Sequence, residues 1–283
     1  MRGRRYTTVS GWLLAPAALF LIVFFVIPLI ANMDKSIALS SIMGPGREQT
    51  PYTKLFTDPF YLSVIAQTVV LSVGVSVLCL LTGYPVAFYL VRHAGRWSGI
   101  VIFMLIAPLL TSIIMRTFGW RVLFARRGLF NEALLNLGWI ERPVEFLNGP
   151  VPAVVGLVHV LVPFMVLSIA AVLRNIDPRL EESARLLGAS RWKTFAKVTL
   201  PLSLDGIGSG SIIVFLLANG SFVTLLLLGG GYLQTLPLLI YQQFNTTQDF
   251  AFAAAMSNVL LAVAVICLYS QLRILRRRGV RSL

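Results

Sequence analysis

The chain has 283 residues, of which 57% are hydrophobic and only 12% charged, and its formal net charge is +13. Soluble domains hold about 45–50% apolar and about 25% charged residues, so long apolar blocks separated by short charged ones exclude a water-soluble protein and describe an integral membrane bundle. The basic residues flank those blocks rather than forming a stripe, which assigns them to orientation in membrane lipid and not to nucleic acid.

A basic tail, residues 1–10 with Arg2, Arg4 and Arg5, precedes a first apolar block at 11–33. Roughly 20 apolar residues cross the ~30 Å hydrocarbon core. A cleaved signal peptide would carry an apolar region of only about 7–15 residues before a small-x-small site, so a retained first transmembrane helix is expected. Residues 34–60, with Pro45, Gly46, Pro51 and Pro59, read as a loop. Five further crossings are expected at about 61–91, 99–115, 151–173, 207–228 and 250–272, followed by a basic tail at 273–283. Pro85 marks a kink or break near the end of the second block, and Gly229–Gly231 opens a polar stretch that ends near Asp249. Cys79 and Cys267 lie inside apolar blocks without metal-type spacing and read as packing residues.

Six crossings put both termini on one side. The tails, the Arg92–Arg96 turn and the 174–201 loop carry sixteen lysines and arginines, against eight in the other three loops. Basic residues accumulate in the cytoplasm, so the termini and the 174–201 loop are expected there. On the other side, Leu129, Ala133, Leu134 and Leu137 share a helical face, as in an amphipathic helix on the outer surface. Trp120 and Trp139 suit the interfacial belt. This segment is either a surface helix with snorkelling arginines or, through Arg116 and Trp120, part of an outer gate or of a surface that receives a partner protein.

Polar groups in the crossings are few. His159 is either a hydrogen-bonded packing histidine or a substrate contact, and Asp205 reads as a solvated or capping residue. Asn219, Gly220, Ser221 and Thr224 lie on neighbouring turns of the fifth block, as helix glue or as the lining of a translocation path.

The most informative stretch is Ile176–Pro201, IDPRLEESARLLGASRWKTFAKVTLP. Asp177 before Pro178 is a helix start. Leu180, Ala184 and Leu187 then share one face, with Glu181, Glu182 and Arg185 around it. Gly188 falls where that helix stops, and Ser190 caps a second short helix carrying Trp192, Phe195 and Ala196. This helix–elbow–helix is either a lipid-surface loop or a contact site.

Glu182-Ser183-Ala184, Gly188-Ala189, Phe195, Val198 and Leu200-Pro201 resemble the Glu-Ala-Ala-x-x-x-Gly motif of type I binding-protein-dependent ABC importer permeases. Ser183 is a small-for-small departure. The likeness spans nearly the whole chain and is nearest to the spermidine/putrescine type. It extends to Arg116-Thr117-Phe118-Gly119-Trp120, Gly128-Leu129-Phe130-Asn131, Leu161-Val162-Pro163-Phe164-Met165, Ser221-Phe222-Val223-Thr224 and Gln243-Phe244. The resemblance implies an all-α, six-transmembrane-helix permease domain over 61–272, with 174–201 as a coupling loop. Glu182, Ala184, Arg185, Leu187, Gly188, Ala189, Trp192 and Phe195 would meet a cytoplasmic ABC ATPase dimer. It also implies a second related permease subunit, an external solute-binding protein in the periplasm, an inner-membrane location, and a small polar solute such as a polyamine or a similar amine or opine-like compound. No acidic residue stands near Ser221, where many relatives carry one suited to a polycation.

The chain holds no Gly-x-x-x-x-Gly-Lys-Ser/Thr loop, so ATP hydrolysis falls to a separate subunit. A stand-alone ion-coupled transporter would need acidic groups in the spans, which are missing. An intramembrane enzyme finds no nucleophile, metal or cofactor constellation around His93 or His159.

Overall fold

The computed structural model describes residues 15–42 and 50–279, and all regular structure among them is helical. The expected tail at 1–10, the start of the first block, the Pro45–Gly46 turn and residues 280–283 lie outside these ranges. In chain order the helices are α1 (15–42, with a π turn at Ile22–Val26), α2 (Pro51–Thr57), α3 (Pro59–Arg92), α4 (Ser98–Leu110), α5 (Ile113–Leu123) and α6 (Leu129–Asn136). They continue as α7 (Pro150–Asn175), α8 (Pro178–Leu186), α9 (Arg191–Leu202), α10 (Leu204–Asn219), α11 (Val223–Leu228), α12 (Leu236–Gln242) and α13 (Phe250–Gly279).

Several expected elements are redrawn. The 34–60 loop holds the end of α1 and all of α2, whose first turn is capped by Thr50 Oγ1 accepting from Thr53 N at 3.2 Å. Pro85 does not break the helix: α3 runs on for 34 residues, since the missing N–H frees one carbonyl that surrounding groups in a bundle can satisfy. The 99–115 crossing is a bent pair, α4 and α5, which meet at 98°. Pro108 removes a ladder donor, Thr111 is extended, and its hydroxyl donates back to Pro108 O at 2.8 Å, which ends α4. The fifth block is likewise broken, with α10 ending at Asn219 and α11 starting at Val223. Asn219 and Gly220 are poor helix formers, and Gly220 takes the cap position. The polar stretch before Asp249 contains α12 and a π turn at Gln243–Thr247.

Among the described residues four unbroken helices are long and apolar enough to cross a membrane, and two bent pairs bring the number to six if each is one span. One such pair joins α9 to α10 at 62°. Its basic residues, Arg191, Lys193 and Lys197, all lie on α9.

The described parts of Met1–Leu62 with Leu239–Leu261 form one compact unit, and those of Ser63–Leu238 with Ala262–Leu283 another. In the first, Asn32 Nδ2 donates to Asn258 Oδ1 at 2.9 Å, and Asn258 Nδ2 donates to Ser36 Oγ at 3.1 Å and Tyr52 Oη at 3.0 Å. Interhelical hydrogen bonds of this kind hold helices together where lipid gives no hydrophobic force. The second unit is built on α7, and α10 is its most extensive partner. A Cβ on Gly206 would lie 3.0 Å from Ile169 Cα, and one on Gly210 would lie 2.8 Å from Met165 Sδ, so two glycines one turn apart let the helices touch.

Candidate functional site

Two polar sites lie in the second unit. The first is the helix–elbow–helix. Asp177 Oδ1 accepts from Arg179 N at 2.9 Å and caps α8, with Pro178 in its first turn. The helix ends as the local sequence indicates: Gly188 has φ +85°, its N–H donates to Arg185 O at 2.9 Å, and Ala189 N donates to Ala184 O at 3.1 Å. That is a Schellman stop. Ser190 Oγ then accepts from Lys193 N at 3.4 Å and opens α9.

The faces of α8 are the reverse of the apolar pattern. Glu181 is 7% exposed, whereas Leu186 and Leu187 are 88% and 89% exposed. Glu181 Oε1 accepts from Arg92 Nε at 3.2 Å, from Arg92 Nη2 at 3.0 Å and from Thr199 Oγ1 at 3.1 Å. Arg92 Nη2 also donates to Ile176 O at 3.2 Å. One carboxylate thus joins the end of α3, the first turn of α8 and the last turn of α9. Below it Tyr84 Oη and Ser203 Oγ lie 2.9 Å apart, and the Phe195 ring meets Tyr84 and Phe88 edge-on at 5.5 and 5.9 Å.

Of the residues singled out in sequence, Glu182 and Arg185 are exposed beside Leu187, Ala184 and Ala189 are half-buried, and Trp192 is 74% exposed. Phe195 is half-buried and bridges the two sides: its ring stacks on Trp192 at 5.5 Å and meets Tyr84 and Phe88 edge-on. A pocket of about 540 Å³ opens between Phe88, His93, Arg185, Arg191, Trp192 and Phe195. Sequence reasoning missed Glu181, Arg92, Thr199, Tyr84 and Ser203. The available signal was Arg92 at the end of a long apolar block, with a carboxylate in the next charged island.

The second site is a node of α5, α7 and α11, each packed on the other two. Trp120 Nε1 donates to His159 Nδ1 at 3.3 Å, and the rings meet edge-on at 5.4 Å. With Nδ1 accepting, the ring proton sits on Nε2. Arg116 is one turn before Trp120. Its Nε and Nη1 are buried without a hydrogen-bond partner, as are Thr224 Oγ1 and Asn219 Oδ1. Ser221 is half-buried in the break between α10 and α11. The structure therefore brings Arg116, Trp120 and His159 together, and removes Asn219, Ser221 and Thr224 from the single continuous helix expected for them.

The model of the binding-protein-dependent transport system inner membrane component family matches residues 10–280. The chain belongs to that family. It is an ABC importer permease subunit, a multi-pass inner-membrane protein and not itself a catalyst. The permease is similar to the spermidine/putrescine transport system permease protein PotB of Haemophilus influenzae, 32% identical over 230 residues that cover 80% of each chain. PotB of Escherichia coli K12 is 34% identical over 212 residues, covering 75% of this permease and 77% of the relative. The permease also shares its fold with a chain of a bacterial alginate ABC transporter solved in complex with an alginate pentasaccharide-bound periplasmic protein. The TM-score is 0.74 and the identity 24%, over 97% of this chain and 98% of that one.

Proposed function

We propose that this permease moves a small polar solute inward and is driven through the α8–α9 loop by a cytoplasmic ABC ATPase dimer. The observation that carries this reading is an exposed apolar tip: Leu186 and Leu187 stand in solvent beside Glu182 and Arg185, on a helix tied from below by the Glu181–Arg92 pair. An exposed amphipathic helix is suited to a cleft in a partner, and one held by buried bonds passes a rigid-body displacement to the membrane helices.

In this account the tails at 1–10 and 273–283 and the loop at 174–201 are cytoplasmic, in keeping with the excess of basic residues on that side. The permease domain proper covers 61–272. A second related permease subunit completes the pathway, because one chain holds one such loop, and an external binding protein delivers the solute. The names of the relatives support a polyamine. A similar amine or opine-like compound is the second reading, favoured by the absence of Asp or Glu from residues 206–248.

The test is co-purification of the ATPase with Leu186→Asp, Leu187→Asp and Glu182→Lys permeases. Loss of the ATPase from folded, membrane-inserted variants is expected. Full retention together with wild-type ATP-driven uptake would overturn the docking role.

A further inference from the structure

Resting on that import reading, we infer that Arg116, with Trp120 and His159 beside it and Thr224 on the adjoining helix, is a subsite for an anionic group of the transported solute: a carboxylate, phosphonate or sulfonate. The first ground is the guanidinium itself. Arg116 is half-buried, its Nε and Nη1 are buried with no acceptor, and it takes part in no ion pair among the described residues. An ionised side chain inside a membrane bundle is retained where something pairs with it during function.

The second ground is that the three helices of the node have no carboxylate to offer. The stretches 59–131, 146–176 and 206–248 contain neither Asp nor Glu, and α5, α7 and α11 come from these stretches. The buried acid of the loop, Glu181, is already occupied by Arg92 and Thr199.

The third ground is the chemistry of the neighbours. Arg116 lies within electrostatic range of His159. His159 accepts at Nδ1 from Trp120, which leaves Nε2–H as a donor. Thr224 is 2% exposed and its hydroxyl has no partner. Its methyl lies 3.1 Å from where a Cβ of Gly156 would stand, three residues before His159 on α7. Guanidinium, imidazole N–H and hydroxyl are all donors, and together they match an oxyanion. A plain polycation gains nothing from them and is repelled by the guanidinium. The node therefore selects, within the proposed solute class, an amine that also carries an acid.

The experiment uses the complete transporter in proteoliposomes: both permease subunits, the ATPase and the binding protein. A mixed pool of diamines, triamines, amino acids, aminophosphonates, aminosulfonates and opine-type conjugates is offered with ATP, and accumulated solutes are identified by mass spectrometry. The expected result is ATP-dependent accumulation of a solute bearing an anionic group. Uptake of that solute should fall at least tenfold in Arg116→Gln and less in Arg116→Lys, with the complex still assembled. Accumulation of a purely cationic amine, at a rate that Arg116→Gln leaves unchanged, would overturn the inference. So would dissociation of the permease pair in Arg116→Gln, which would assign the guanidinium to a carboxylate of the second subunit. Accumulation of no solute in any variant would instead remove the import reading, and the subsite with it.

Discussion

The loop staple and the α5–α7–α11 node each hold a half-buried arginine in the same unit, but they treat it in opposite ways. Arg92 meets a carboxylate and a carbonyl, and that carboxylate is completed by Thr199. Two nitrogens of Arg116 are buried with nothing to accept from them among the described residues. A satisfied buried network makes a region rigid, whereas an unsatisfied one leaves a site for a ligand or partner. The difference separates a part that transmits force from a part that recognises something.

The largest expected effect is in the staple. Glu181→Ala strands Arg92 and should lower stability by about 3–5 kcal/mol, read as a drop in the unfolding midpoint of the purified permease. Arg92→Met combined with Glu181→Met should recover most of it, because no charge is then left unpaired. Next comes a matched pair of hydroxyl deletions. Thr199→Val removes a hydrogen bond to a carboxylate and should destabilise by about 1.5–3 kcal/mol. Thr224→Val removes a hydroxyl that bonds nothing and should change stability by less than about 0.5 kcal/mol, while uptake of the solute falls. Equal stability losses at the two sites would erase the contrast. Between these, Gly188→Ala places a Cβ on a residue at φ +85° and should destabilise by about 1–2 kcal/mol, seen in the same unfolding measurement.

The ends of α8 were legible in the sequence because caps depend on neighbours. Asp177-Pro178, Gly188 and Ser190 each act within four residues. Which face of α8 turns inward was not legible. The spacing of Leu180, Ala184 and Leu187 suggested an apolar inner face, but the decision rests with Arg92, 89 residues from Glu181 in sequence. Breaks inside apolar blocks fared similarly. Pro85 and Pro108 look alike in sequence, yet α3 continues through the first, while α4 ends just beyond the second, where Thr111 supplies an alternative bond. The node was half legible. Arg116, Trp120, His159 and Thr224 were each noticed, but the packing of their three helices depends on the bend between α4 and α5, which hydropathy does not encode.

The most direct test of the central claim, that a stapled loop couples ATP hydrolysis to transport, is the amount of solute imported per ATP hydrolysed by the reconstituted transporter carrying Glu181→Gln. The substitution keeps the shape and removes the charge that holds Arg92. The account predicts that the ATPase remains bound and hydrolyses ATP while the ratio falls at least tenfold. An unchanged ratio would contradict it.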